Sequence, residues 1–428
     1  MDCKSTALCL FDEKLVQSDI ISNTLVDYHP KTSITGGGPI EFEIPGSPDE
    51  YIDLQDTRLL LQLQIKHPDG SDLDAAKDVV CFANNVASTV FQEANFFINN
   101  IQVEGGQHLY PYKAYLSTLL QFHPVAKKSH MTTWGWYEDT PGLFDDAKNE
   151  GAMARVKHNQ ESKLWELYSP LCLDMTHQSR YLLPQTDCSL KLTPSKAPFA
   201  LHVMNGVKVN YKYSINKCIL YVRRMRVLDS VISGHNKGLA RHNAIYPLLH
   251  KSIETFTITK DVRNHIKDSL FPGLMPRMLV VGFVHHEAFN GNYNMSPFNF
   301  QHFDVNKIGL YRNGELVPGQ ILQPDFTNGL FTQAYCNTME ALNYFNTDDG
   351  NGMTMEHFEK GYSLFVFDLT PDANVQAPYR NIVHGASLRL ELQFEKALPT
   401  AINCILFPIY DAKLEITKLR DVLMTYTR

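Results

Sequence analysis

Five groups of residues in this 428-residue chain are of types that could do chemistry. His285-His286-Glu287 supplies two imidazoles and a carboxylate, the donors of a zinc or iron centre such as cupin-type barrel enzymes build. Neighbouring residues on a strand point to opposite faces, so the two histidines could not ligate one ion from one strand, and no His-x-His pair occurs nearby. They read as loop or barrel-rim histidines. Asp348-Asp349-Gly350-Asn351-Gly352 resembles part of a calcium loop, but the same residue types make turns, and the stretch reads as an exposed loop. Gly36-Gly37-Gly38 is not followed by Lys-Ser or Lys-Thr at the phosphate-loop spacing, and Pro39 opens a strand, which leaves a bend. The eight cysteines, Cys3, Cys9, Cys81, Cys172, Cys188, Cys218, Cys336 and Cys404, contain no Cys-x-x-Cys and read as reduced, mostly buried side chains. Arg223, Arg224 and Arg226, with Lys237 and Arg241 beyond them, are the one basic concentration. It could meet nucleic acid or a carboxylate-rich neighbour. The net charge of −7 favours the carboxylates. No residue emerges as catalytic, cofactor-binding or metal-binding.

The elements that would position such groups are strands. Leu388 to Glu395 alternates apolar Leu388, Leu390, Leu392 and Phe394 with Arg389, Glu391, Gln393 and Glu395, the period of a half-buried antiparallel strand. The same period runs through Ile40–Ile44, Leu61–Lys66, Phe256–Thr259 and Leu414–Thr417. Helical patterning is confined to Tyr115–Leu120, Leu228–Leu239 and Phe331–Leu342. With 22 Pro and 24 Gly marking turns and no βαβ alternation, the chain is all-β, built from sandwiches or barrels with a few short helices in loops. Its length exceeds the roughly 250–300 residues at which one core stops growing, so two domains are expected. No long apolar run suits a membrane span. The first residues do not make a secretory signal, so synthesis in the cytoplasm is expected.

The halves of the chain repeat. Phe97 to Gln107 lies on Leu310 to Gln320 at an offset of 213, each a hairpin with Asn99-Asn100 or Asn313-Gly314 at the tip. Leu173-Asp174-Met175 matches Phe367-Asp368-Leu369, Ser189–Leu192 matches Ser387–Leu390, and Cys218-Ile219-Leu220 matches Cys404-Ile405-Leu406, in the same order. Four collinear blocks favour duplication over two unrelated β-domains with similar turns. About 200 residues per half suffices for an eight-stranded jelly roll at roughly 5–6 residues per strand.

The run from Pro39 to Ile65, followed by Asn84–Val103 and Tyr110–Leu120, is similar to the double jelly-roll major capsid proteins of Polinton (Maverick) elements and adintoviruses, and Leu279–Glu315 resembles them more loosely. The resemblance implies two consecutive eight-stranded antiparallel jelly rolls. It further implies a homotrimer with pseudo-sixfold outline and trimers tiling an icosahedral shell in the virion around a DNA genome, with penton and other minor capsid proteins as partners. Nucleic acid would be met at most indirectly.

On this reading residues 1–35 are an N-terminal arm, 36–228 the first roll with long loop insertions, 229–250 a linker, 251–417 the second roll and 418–428 a tail. The extra residues 108–172 form an outer loop, in which Trp134, Trp136 and Tyr137 either anchor a trimer contact or fill the local core. Other function classes remain: a minor or penton capsid protein, a β-sandwich adhesin or lectin, and a cupin-like enzyme. One jelly roll suffices for a penton, an adhesin would be expected to carry a signal and paired cysteines, and an enzyme needs several inward ligands.

Overall fold

The structure, a computed structural model, describes residues 17–34, 37–106, 108–206, 209–375 and 387–426. Gly36, Gln107, Cys3 and Cys9 lie outside the described residues, as do residues 1–16 of the expected arm. In the first half the strands are β1 (Ile20–Tyr28), β2 (Ile40–Ile44), β3 (Glu50–Lys66), β4 (Val80–Phe82), β5 (Phe91–Ile98), β6 (Ile101–Glu104), β7 (Trp165–Pro170), β8 (Cys188–Pro194), β9 (Leu201–Val203) and β10 (Lys212–Val227). Strands β4 and β9 pair only with each other, and the other eight form two antiparallel sheets, β1-β10-β3-β7 and β2-β8-β5-β6. Counted along those eight, the orders are first-eighth-third-sixth and second-seventh-fourth-fifth. The chain changes sheet at every step except the hairpin between the fourth and fifth strands, which is the jelly-roll path.

The second half repeats it. Its strands are β11 (Ala244–Lys251), β12 (Glu254–Ile258), β13 (Asn264–Leu270), β14 (Met278–His285), β15 (Val305–Arg312), β16 (Glu315–Leu322), β17 (Leu364–Asp368), β18 (Leu388–Phe394), β19 (Ile402–Ile416) and β20 (Val422–Tyr426). One sheet runs β13-β18-β15-β16 and the other β11-β19-β14-β17. Both β11 and β12 lie along β19, opposite residues 409–416 and 402–406, so they are one first strand interrupted at Ser252-Ile253.

Three expected boundaries change. Ile20–Tyr28, placed in an arm, is the first strand of the first roll, paired with β10 from Ile20↔Val227 to Tyr28↔Leu220. It is an edge strand with most residues open to solvent, so no alternation marked it. The expected linker holds a helix, Asp229–Leu239, and then β11. The expected tail contains β20, which pairs with β19 where β14 has ended.

The duplicated hairpins agree in detail. Asn99 and Asn100 (φ 47° and 64°) and Asn313 and Gly314 (φ 51° and 88°) are left-handed, as a two-residue turn matched to strand twist requires. In both rolls the first turn asparagine bonds twice to the residue that precedes the seventh strand. Asn99 N–H donates to Asp187 O at 2.9 Å and its Oδ1 accepts from Asp187 N–H at 2.9 Å, while Asn313 and Ser387 repeat the pair at 2.9 and 3.0 Å. This lock aligns Asp187 with Ser387, an offset of 200, so the Ser189–Ser387 match named the right strands but slipped by two residues. A slip of two keeps every side chain on its face and leaves the alternation unchanged. The Leu173-Asp174-Met175 match fails: Asp174–His177 is a 3-10 turn beyond β7, whereas Phe367-Asp368 ends β17.

Asn313→Ala removes both the side-chain bond and the tolerance of positive φ, and should cost about 1–2 kcal/mol in urea unfolding. Asn313→Gly keeps the turn and should cost less; equal losses would contradict a conformational role.

Candidate assembly surfaces and the buried charge cluster

The outer face of the sheet β11-β19-β14-β17 is apolar. On β14, Leu279, Val281 and Phe283 point into the second roll's own core, and Met278, Val280 and Val284 point the other way, all buried. Leu364 and Val366 of β17 and Ile405, Phe407 and Ile409 of β19 complete that outer face. Its cover comes from the first roll together with Phe298, Phe300, Met339 and Leu342 of the second roll itself. The connection between β6 and β7, expected as an outer loop, carries the helices Tyr110–Gln121 and Glu150–Asn159 and lies against this sheet. Tyr115 stacks on Phe298 with ring centroids 4.2 Å apart, and Tyr112 meets Phe298 edge-on at 5.6 Å. Trp136, 1% exposed, packs on Tyr115 at 5.2 Å; of its two sequence readings the structure supports a core residue, in the core between the rolls. Tyr137 packs on the first roll's core, its hydroxyl 2.8 Å from His158 Nε2, and Trp134 is edge-on to Phe122.

Polar groups fix this junction. Arg155, fully buried, donates to Phe82 O, Tyr137 O and Asp139 Oδ1 at 3.0, 2.7 and 2.7 Å, and Tyr362 of the second roll donates to Asp139 O at 2.6 Å. Lys127 donates to Leu119 O at 2.7 Å and across the junction to Asn351 O at 2.8 Å; burial pushes its ammonium down to about 8. The stretch Asp348–Gly352 is thus only partly the exposed loop expected, because Asn351 is buried against the first roll while Asp348 and Asp349 stay open.

A charge cluster sits beside it. Lys113, on the helix Tyr110–Gln121, pairs with Glu104 of β6 and, at 2.7 Å, with Asp174. Asp174 N–H donates to Glu104 Oε2 at 2.6 Å, and Asp174 Oδ2 lies 2.7 Å from His250 Nδ1 on β11. Burial, reinforced by the Asp174 carboxylate, pushes Glu104 up to about 7. Asp174 is buried as well, yet Lys113 and His250 hold its carboxyl below the usual range, and the two carboxylates raise Lys113. Burial lowers the neighbouring Lys251 and pushes His177 down to about 4. Sequence reasoning named none of these roles. The available signal was Lys113 itself, a lone charge inside the otherwise apolar helical run Tyr110–Leu120.

The residues named from sequence are scattered. His285 Nδ1 is 3.3 Å from Thr400 Oγ1, whereas His286 Nδ1 is 2.7 Å from Asn403 Oδ1, so the pair turns to different partners. Among the described residues no three His, Cys, Asp or Glu side chains come together as a metal-binding group. Arg223 pairs with Asp56, and Arg224, buried, reaches Glu50 at 3.3 Å and Tyr28 Oη at 2.8 Å, so carboxylates within the chain take up these two; Arg226, Lys237 and Arg241 are exposed. Cys81, Cys188, Cys218 and Cys404 are buried, Cys172 and Cys336 half-buried, and all six are free. Gly37 is left-handed at φ 65°, in the bend before β2.

Among the described residues, the first roll's corresponding outer face, on β1-β10-β3-β7, keeps apolar side chains exposed. Ile21 and Leu25 of β1 and Tyr168 of β7 are 56%, 43% and 39% exposed.

No family model matches the chain. An uncharacterized Caenorhabditis elegans protein is 26% identical over 404 residues, covering 91% of this chain and 94% of that protein. Among solved structures, a chain of the Sputnik virophage superposes with TM-score 0.67 at 14% identity, covering 100% of this chain and 93% of that one. The major capsid protein of mavirus gives 0.57 at 11% (97% and 93% covered), and that of Faustovirus 0.56 at 8% (99% and 93% covered). The likeness to these structures establishes a double jelly-roll fold along the whole chain.

Lys113→Met leaves buried carboxylates without their cation and should cost about 3–5 kcal/mol in denaturant unfolding. Glu104 binds a proton in the fold that the unfolded chain releases above its ordinary value of 4.5, so its contribution is full below 4.5 and lost as pH rises through about 7. His177 acts oppositely: its folded value lies below 6.5, so its contribution is lost as pH falls through about 4. Comparison with Glu104→Gln separates the two. The stability advantage of wild type over that variant should shrink between pH 5 and pH 8, and an advantage that grew would exclude a protonated Glu104.

Proposed function

We propose that this chain is a viral major capsid protein, a non-catalytic building block whose copies assemble as homotrimers of pseudo-hexameric outline and tile an icosahedral shell. The observation that carries the reading is a jelly-roll path traced twice in one chain and extending over its whole length. One sandwich buries its own core; two, held at a fixed junction, let three copies of one chain offer six similar units to a hexagonal position. A penton or minor capsid protein would have no use for the second roll. The full-length relative in a nematode suits a gene carried by an element resident in animal genomes, as Polintons are, and so favours that lineage over a free virus of microbes. Penton and minor capsid proteins are the further partners on this reading. The basic residues at Arg223 and Arg224 are engaged by carboxylates of the same chain, which favours a shell whose contact with packaged DNA is indirect. The virion is the expected location.

Light scattering coupled to size exclusion tests this directly. The expected mass is about three times 48.7 kDa, with hexagonal outlines in negative stain. A stable monomer at every concentration would rule the reading out.

A further inference from the structure

The two rolls differ in what covers the outer face of the sheet that holds the first, eighth, third and sixth strands. In the second roll that face is covered by the first roll's helical connection together with side chains of the second roll itself, and a row across its eighth, third and sixth strands reads Phe407, Val280 and Val366, all buried. The corresponding strands of the first roll carry Ile219, Leu60 and Tyr168 in register, an apolar row that runs from buried Ile219 through half-buried Leu60 to exposed Tyr168. Leu25 extends it on β1, paired with Arg223 of β10. Two guanidiniums, Arg58 at 3.1 Å and Arg223, meet the carboxylate of Asp56 there, so charged groups border the apolar row.

The connection between the second roll's fifth and sixth strands, residues 323–363, is the counterpart of the covering connection. It too is helical, with Thr332–Ala341 and Met355–Glu359. It carries six acidic residues, Asp325, Glu340, Asp348, Asp349, Glu356 and Glu359, against one Lys, Lys360. Leu330, Phe345 and Met355 on it are 68%, 52% and 37% exposed.

We propose that the open outer sheet face of the first roll, centred on Leu25, Leu60 and Tyr168, is the contact surface for the 323–363 connection of a second copy of this chain. The inference rests on the capsid reading and adds to it the surface by which copies meet. The contact within the chain is then repeated between chains: connection of roll one on face of roll two, connection of roll two on face of the next copy's roll one. Such a contact is heterologous, with a different surface on each side, and it closes into a ring when the rotation allows. The mixed character of the first roll's face fits this role. A face covered within its own chain can be wholly apolar, whereas one that waits in water for a partner must keep charged groups beside its apolar row.

Two variants test it by light scattering and mixing. Leu25→Glu/Tyr168→Glu damages the face, and Leu330→Glu/Phe345→Glu damages the connection; all four residues are at least a third exposed, so circular dichroism and melting temperature should match wild type. Each variant alone should be monomeric, or assemble only at about tenfold higher concentration or more. Mixed one to one, they retain one intact face and one intact connection between them, so the mixture should give the mass of two chains and nothing larger. Should the glutamates disturb the strands, Leu25→Ser/Tyr168→Ser repeats the first arm. An unchanged mass for the face variant overturns this surface while leaving an oligomeric wild type, and with it the capsid reading, intact. A mixture that stays monomeric, or regains the full wild-type mass, overturns the pairing of face with connection. A wild type that is itself monomeric overturns both.

Discussion

The second roll cannot stand with its outer sheet face in water, and much of the architecture follows from that. Val280, Leu364, Val366, Ile405 and Phe407 would expose a contiguous apolar surface if the rolls separated. Fully burying a side chain of this size is worth about 1.5–3 kcal/mol, so several together outweigh the entropy of ordering the long connection that covers them. That connection therefore cannot behave as a loose surface loop. It is helical because a helix presents Tyr112, Tyr115, Leu116 and Leu119 toward one neighbour while satisfying its own backbone, something an irregular segment buried at the same place could not do.

Burial on both sides also explains which strands were legible. Where one face meets solvent, as in Leu388–Phe394 or Ile40–Ile44, alternation marked the strand nearly to the residue. Where both faces are buried, as in β14 or most of β19, the sequence is continuously apolar and period two vanishes. Where neither face is well buried, as in β1, the pattern is equally blank, and the first strand of the first roll passed for an arm. The three helices marked by apolar patterning are present. Glu150–Asn159 was missed, and its central buried residue is Arg155, a charge that no apolar periodicity detects.

The candidate surfaces were less legible than the fold. The repeat disclosed itself through turn chemistry, because positive φ at two successive residues admits few residue types, and Asn99-Asn100 and Asn313-Gly314 are among them. The charge cluster draws Glu104, Lys113, Asp174 and His250 from four separate elements, and no spacing in the chain brings them together; the fold of the first roll joins the first three and the docking of the rolls adds His250. The arginines were visible as a group, but plain alternation along β10 turns Arg224 inward with Leu220 and Val222 and leaves Arg223 on the outer face, and their partners Glu50, Tyr28 and Asp56 lie on other strands.

The cluster's position suggests what burying charge accomplishes here. An apolar junction of rings and aliphatic chains is strong but tolerant, since similar surfaces can slide past one another at little cost in area. Lys113 and Asp174 can be satisfied in few arrangements, and any slip of β11 against the turn Asp174–His177 would separate Asp174 from His250 and leave a carboxylate short of a partner. His250 lies one residue before the end of β11, where the first strand of the second roll is interrupted, so the cluster grips the roll at the place where its own ladder is weakest. Charges bought at a desolvation cost are poor value as glue, but they penalise every alternative register. For a chain whose two rolls share one buried junction, a penalty on misalignment complements the apolar contact that holds them. The apolar face holds the rolls together, and the ions determine how they are held.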